Sequence, residues 1–366
     1  MTYLNVDEVE DALTSLSRTY SNTSQIVELP NKSIEGRTIH ALIIGKNKAN
    51  RKNKSILFTG SVHAREWGGS DICVYFAADL LEAYSKDTGL RYQDQYFESS
   101  QIRRIIEETN IIIVPDVNPD GKAYSQGGPA NVLWRRNRNP DESHGEPDCI
   151  GVDLNRNYDL LWDFTECFAP DARVETSADP CDPRQRYRGS AVFSEPETRN
   201  IKWLLDEFEG IGHYMDIHCA VGAIYYCWGI DQNQVLEAKQ NFRNAQYDKV
   251  RGIENDKEYK EYIPLTDYNY VKDLASTFAN ALENVRGTRY SVEQSFGLYP
   301  TSGAGDDYAF SRHFLDVDKN KVYSFTLEFG KDDFQPPWSE MKEIIVEVCS
   351  GLVAFCDSIV LNSSIE

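Results

Sequence analysis

No stretch of this 366-residue sequence runs apolar for the roughly 18 to 20 residues that a membrane-spanning helix requires, so an integral membrane protein is not expected. Positive charge is scarce as well: 38 Lys and Arg stand against 58 Asp and Glu, for a formal net charge of -20. A surface of that sign repels phosphate backbones and anionic lipid, which argues against nucleic acid and favours cationic partners. Cysteine occurs at positions 73, 149, 167, 181, 219, 227, 349 and 356, never at Cys-x-x-Cys spacing, so zinc-ribbon and thioredoxin-type sites are not expected. These cysteines are too few for a cysteine-stapled mini-scaffold and enough for a small number of bridges. Internal repeats and low-complexity linkers are both missing, and residues 1–366 read as a single domain. The residues after Met1, TYLNVDEVEDAL, carry neither the basic segment nor the apolar core of a secretory leader. The chain therefore reads either as a cytoplasmic protein or as a mature form without its leader.

What is present is an alternation of helical and extended patterns. NVDEVEDALTSLSRTY places Val6, Val9, Leu13 and Leu16 on one helical stripe, with Asn5 or Asp7 near the cap. TIHALIIG and SILFTGSV read as strands, the second continuous enough to be buried on both faces. SDICVYFAADLLEAYS and QIRRIIEET read as helices, and NIIIVPDVNPDG as a central strand ending in a turn. Helix EPETRNIKWLLDEF, strands GHYMDIHCA, AIYYCWG and VYSFTLEFG, and a long amphipathic helix from Trp338 complete the pattern. Such alternation implies an α/β fold, a largely parallel sheet covered on both faces. The polar stretch 231–270 reads as an insertion of helical character within that domain.

In open α/β sheets ligands bind beyond the carboxyl ends of the strands, and three such ends carry chemistry. SILFTGSV runs into His63-Ala64-Arg65-Glu66, HYMDI into His218, and VYSFTL into Glu328. Two histidines and a glutamate make a ligand set for catalytic zinc that leaves a fourth position for water. A further glutamate suits the removal of a proton from that water. A His-x-x-Glu pair by itself is a weak signal, because it recurs by chance in many chains.

Seven segments give it context: HAREW (63–67), PDVNPDG (115–121), LWRRNR (133–138), CIGVDLNRNYD (149–159), DIHC (216–219), LYPTSGAGDDYAF (298–310) and YSFTLEFG (323–330). In this order they resemble the zinc metallocarboxypeptidases of the funnelin family, the group of pancreatic carboxypeptidases A and B. The resemblance implies an α/β/α sandwich around a mixed, mainly parallel eight-stranded sheet. It implies one Zn2+ held by His63, Glu66 and His218, with Asp153 orienting the first histidine. Glu328 matches the family's general base; at the end of an apolar strand it is expected to be partly desolvated, with a raised pKa. Arg135, after Trp134, matches the arginine that stabilises the oxyanion, beside Arg136 and Arg138 in a basic cluster. Asn155 and Arg156 match the anchor for a free C-terminal carboxylate, which a guanidinium grips through two parallel hydrogen bonds. Tyr299 matches the tyrosine that closes over the terminus, and Arg65 an arginine that binds substrate further from the scissile bond.

Aligned on Tyr299, Asp306 falls at the floor of the pocket for the terminal side chain, where B-type enzymes carry aspartate and A-type enzymes a branched apolar residue. The expected activity is thus hydrolysis of the C-terminal peptide bond of peptides and proteins, with preference for Lys or Arg. The alternatives are A-type or broad specificity, a zinc amidase on the same scaffold, or a non-catalytic module that holds C-termini. The family pattern also pairs Cys149 with Cys181, which points to secretion, and the chain is expected to be a monomer. Two departures stand out: Cys219-Ala220 replaces the usual Ser-Tyr after the second histidine, and Phe329-Gly330-Lys331 follows Glu328.

Overall fold

The computed structural model describes residues 2–146 and 149–363. Helix α1 (Val6–Thr19) is set by a capping box in which Asn5 accepts from the Glu8 amide and Glu8 from the Asn5 amide, each at 2.9 Å. Strands β1 (Ser24–Glu28), β2 (His40–Ile44) and β3 (Ser55–Gly60) lead to α2 (Gly68–Lys86). A small hairpin, β4 (Leu90–Tyr92) and β5 (Gln95–Phe97), precedes α3 (Ser99–Glu108), β6 (Asn110–Val114) and α4 (Pro119–Gln126). After the short α5 (Phe164–Cys167) come α6 (Pro196–Glu207), β7 (Ile211–Cys219) and β8 (Ala223–Tyr226). The remaining elements are β9 (Asn233–Gln234), β10 (Glu261–Tyr262), α7 (Leu265–Arg286), β11 (Ser291–Gln294), α8 (Gly305–Leu315), β12 (Tyr323–Phe329) and α9 (Trp338–Ser363).

Eight strands form one sheet in the order β1-β2-β6-β3-β7-β12-β8-β11. The middle of the sheet, β6-β3-β7-β12, is parallel, whereas β1/β2, β2/β6 and β12/β8 pair antiparallel. This is the expected mixed α/β sandwich. Alternation along the strands supplies both faces. Ile44, Ile56, Phe58, Ile111 and Met215 join a core with α2, α3, α7 and α9, while Ile43, Leu57, Ile112 and Tyr214 join one with α6 and α8. The outermost strands, β1 and β11, escaped the sequence reading because their half-exposed, polar composition carries little apolar signal.

Two expectations change. Helix α9 is long and apolar enough to cross a membrane, a run the sequence reading missed because single charges interrupt it. Most of it is buried against α7, α2 and α3, and its inward Glu347 pairs with Arg286 and accepts from the Tyr290 hydroxyl at 2.7 Å. The stretch 231–270 has only a single 3-10 turn, Ala245–Tyr247, before α7 begins at Leu265. Its polar residues instead capture loop amides: Asp231 accepts from Gly252 at 2.6 Å and Glu261 from Phe242 at 3.0 Å. Those side chains compete with the i→i-4 bonds a helix needs, and Trp228, Phe242 and Phe310 pack beneath.

Helix α6 starts with Pro196 between two buried glutamates, Glu195 and Glu197, which share the Asn137 amide at 2.6 and 3.2 Å. Burial, reinforced by Glu195, pushes the Glu197 carboxyl up to about 8. A raised folded-state pKa means the native protein holds this proton more tightly than the unfolded chain. The stability it contributes is present below the ordinary carboxylate range and is lost as pH rises toward 8. Glu197→Gln is therefore expected to stabilise the protein at pH 8 relative to pH 5, by on the order of 2 kcal/mol. Chemical denaturation of both proteins at the two pH values checks this; a constant difference between them contradicts it.

Candidate active site

The parallel strands β6, β3, β7 and β12 end along one edge, and the residues singled out in the sequence gather there. Beyond β3 the chain must pass very close to its neighbours: a Cβ on Gly60 would sit 2.8 Å from the Pro115 carbonyl oxygen. A turn through Ser61, at φ 54°, then presents His63 and Glu66 together. On the adjoining strands His218 and Glu328 are register partners, so both project from the same face.

His63 Nδ1 lies 2.8 Å from Glu66 Oε1 and 3.0 Å from His218 Nδ1, which is itself 3.1 Å from Glu66 Oε2. Each imidazole has a carboxylate behind it. His218 Nε2 donates to Asp216 at 2.8 Å, and Asp153 Oδ1 stands 3.3 Å from His63 Nε2. With Asp216 accepting from His218 Nε2 and Asp153 beside His63 Nε2, both Nδ1 atoms are turned toward the Glu66 carboxylate, with Arg135 Nη1 3.3 Å from that of His63. Three converging lone pairs are satisfied together by a cation. Ligand atoms about 2.0 to 2.1 Å from a tetrahedral zinc ion lie about 3.3 Å apart, close to the separations found here. The donor set fits a divalent ion.

Without an ion the two imidazoles differ in their electrostatics. Burial and the Arg135 guanidinium lower the His63 pKa, which favours its neutral form. Burial opposes charge on His218 too, but Asp216 and Glu66 outweigh it and hold its pKa well above the ordinary value. Burial alone would raise Glu66, yet the two imidazoles pull it far below the carboxylate range. Glu328 is half-buried and has no ion pair among the described residues; desolvation and nearby Glu66 push its pKa up to about 8, and its buried Oε2 has no hydrogen-bond partner among them.

Arg135 is the one member of the Arg135, Arg136 and Arg138 cluster that enters the cleft. Its Nε donates to Asp153 at 2.8 Å and its main-chain N to Gln185 at 2.8 Å, which leave the far end of the guanidinium beside His63. Arg136 instead donates to the Pro180 carbonyl at 2.6 Å, and Arg138 stacks on Tyr124 at 3.6 Å. Asn155 accepts from the Gly305 amide at 2.8 Å, and Arg156 Nε donates to the Glu175 carbonyl at 2.6 Å. Both lie within the loop closed by the Cys149–Cys181 disulfide. Tyr299 lies beside the guanidinium groups of Arg156 and Arg186, at 6.0 and 5.3 Å. Arg65 stacks on Phe334 at 4.1 Å. Asp306, in the first turn of α8, is buried; it accepts from Thr326 at 3.0 Å and from the Asp307 amide at 2.9 Å.

Apart from Asp153, which stands behind His63, every residue chosen from the sequence lines this one cleft. Asp216, Gln185 and Arg186 were missed. Asp216 had a readable signal, because a strand position two before His218 shares its face. Nothing local marked the other two.

A sequence model of the zinc carboxypeptidase family matches residues 9–351. The chain is 28% identical over 310 residues to carboxypeptidase B of Astacus astacus, covering 84% of this chain and 81% of that protein. It is also 28% identical over 337 residues to metallocarboxypeptidase A of Trichophyton tonsurans, covering 90% of this chain and 65% of that longer protein. Among solved structures, carboxypeptidase A from Helicoverpa armigera superposes with a TM-score of 0.72 at 23% identity, over 99% of this chain and 75% of that one. Bovine thrombin-activatable fibrinolysis inhibitor, in complex with tick carboxypeptidase inhibitor, gives 0.70 at 20% identity, over 99% and 98%. At those identities the structural likeness speaks to the fold.

Proposed function

The chain belongs to the zinc carboxypeptidase family, and from that premise we propose that it is a zinc-dependent exopeptidase removing C-terminal Lys or Arg from peptides and proteins. The observation that carries the basic preference is a buried carboxylate, Asp306, lining the same cleft as the His63-Glu66-His218 cluster. Those three residues would hold one Zn2+, which supplies Lewis-acid polarisation of the scissile carbonyl and acidity to water. Glu328, with Oε2 unpartnered among the described residues, accepts a proton from the attacking water and passes it to the leaving amine. Arg135, immobilised by Asp153, takes up charge that develops on the carbonyl oxygen. Asn155 and Arg156 receive the terminal carboxylate, Tyr299 closes over it, and Arg65 binds the peptide further upstream. This anchor is what makes the reaction exopeptidic, because only a chain end offers a free carboxylate there.

A C-terminal ammonium or guanidinium would pair with Asp306, whereas an apolar side chain would leave that carboxylate buried without a counter-charge. A-type specificity is the second reading, because both Asp306 oxygens already accept hydrogen bonds and burial raises its pKa toward the neutral form. Asp306→Asn is expected to reduce kcat/KM for a peptide ending in Lys by roughly 100-fold, the loss of one partly desolvated charge pair, and to spare one ending in Phe. Blocked dipeptides ending in Lys, Arg, Phe and Glu measure this directly. Wild-type preference for Phe would decide for the A-type reading. The Cys149–Cys181 bridge supports reading the protein as secreted, and we take it to be a monomer.

A further inference from the structure

The cleft holds a cation that the proposed chemistry does not use. Arg186 lines it together with Arg135, Arg156 and Tyr299, yet no step above calls on it. Its side chain is 21% exposed, and it is held in place from behind by an ion pair with Glu175.

Glu175 joins the whole wall. Its main-chain N donates to the Pro300 carbonyl at 2.8 Å, directly after Tyr299, while its own carbonyl accepts Arg156 Nε at 2.6 Å. Its carboxylate also takes Arg184 at 3.0 Å. Arg186 is thereby fixed relative to both the terminus anchor and the tyrosine that closes over it. A guanidinium has five N–H donors, and one shared carboxylate oxygen cannot occupy them all. The guanidinium stands 5.3 Å from the Tyr299 ring in the lining of the cleft.

Position along the substrate follows from these neighbours, and so this inference rests on the exopeptidase reading. Arg135 serves the scissile carbonyl and Tyr299 covers the terminal residue. Arg186 lines the same cleft as both, and the residue on the other side of the scissile bond is the part of the substrate that no group above has claimed. We propose that Arg186 is a specificity-determining residue that selects an acidic side chain at the penultimate position. The cleft then alternates in sign: Asp306 for a basic terminal residue, Arg186 for an acidic one before it. The favoured substrates are peptides ending in Glu-Lys, Asp-Lys, Glu-Arg or Asp-Arg.

The test uses the zinc-loaded protein and three blocked tripeptides, ending in Glu-Lys, Ala-Lys and Lys-Lys. In the wild type, kcat/KM for Glu-Lys is expected to exceed that for Ala-Lys by roughly tenfold, as for a half-exposed charge-assisted hydrogen bond. In Arg186→Gln that ratio falls to about one, and in Arg186→Glu the order inverts so that Lys-Lys leads. Ratios between substrates are insensitive to a general loss of fold or metal, so a merely structural arginine would not invert them. A wild-type ratio near one, or an unchanged ratio in both variants, overturns the assignment of Arg186. Failure of the wild type to cleave any of the three strikes the exopeptidase reading itself, and the Arg186 proposal with it.

Discussion

Glu328→Gln is expected to lower kcat by roughly 10⁴-fold while leaving the metal content at one ion per chain, the upper end of what a positioned base contributes. The substitution keeps the size and shape of the side chain and removes its ability to accept a proton. Nothing in the cluster of His63, Glu66 and His218 depends on it, because those three acceptors converge on one another and Glu328 stands on the neighbouring strand. The Oε2 atom, buried and without a partner among the described residues, is the one that loses its function. KM is expected to change little, since the terminus anchor is made by other residues, Asn155 and Arg156. Steady-state kinetics with a Lys-terminated peptide, alongside zinc analysis of the same preparation, provide the measurement. Full activity in a metal-replete variant would place the base on another residue.

The second large effect is metal removal. Dialysis against a chelator is expected to abolish hydrolysis, and one equivalent of Zn2+ to restore it. The same treatment has a readout that does not need turnover. Without a cation, two imidazole nitrogens and a carboxylate face one another across about 3 Å in a buried pocket. Adding zinc at a free concentration a thousandfold above its dissociation constant should stabilise the fold by about 4 kcal/mol, seen as a rise in the thermal midpoint. His218→Ala removes one of the three ligands and should blunt both responses. A protein that binds no zinc, and melts at the same temperature with and without it, would show that the cluster is an ordinary hydrogen-bonded core.

The helices and central strands were readable because each repeats one simple signal. Val6, Val9 and Leu13 recur at helical spacing and are buried in α1, and unbroken runs such as Asn110–Val114 are buried on both faces of the sheet. The strand-end histidines and Glu328 were readable for a related reason, since an α/β sheet puts its ligands at strand carboxyl ends regardless of loop detail. What stayed hidden was either weak or conditional. Strand β11 alternates between exposed and half-exposed residues and so looks like a loop. In 231–270, Asp231 and Glu261 exchange helical bonds for captured loop amides, which no local propensity foretells.

The amino-acid order alone therefore determined the class of fold, the edge of the sheet that carries the chemistry, and the residue types able to carry it, because periodicity and strand ends are properties of neighbouring residues. Only the folded chain decided which guanidinium of the Arg135, Arg136 and Arg138 cluster enters the cleft, and that Arg186 and Glu175 stand beside Tyr299 and Arg156. Those facts depend on groups separated by tens to hundreds of residues, and their relative placement is set by packing across the sheet, a long-range quantity that no window of sequence contains.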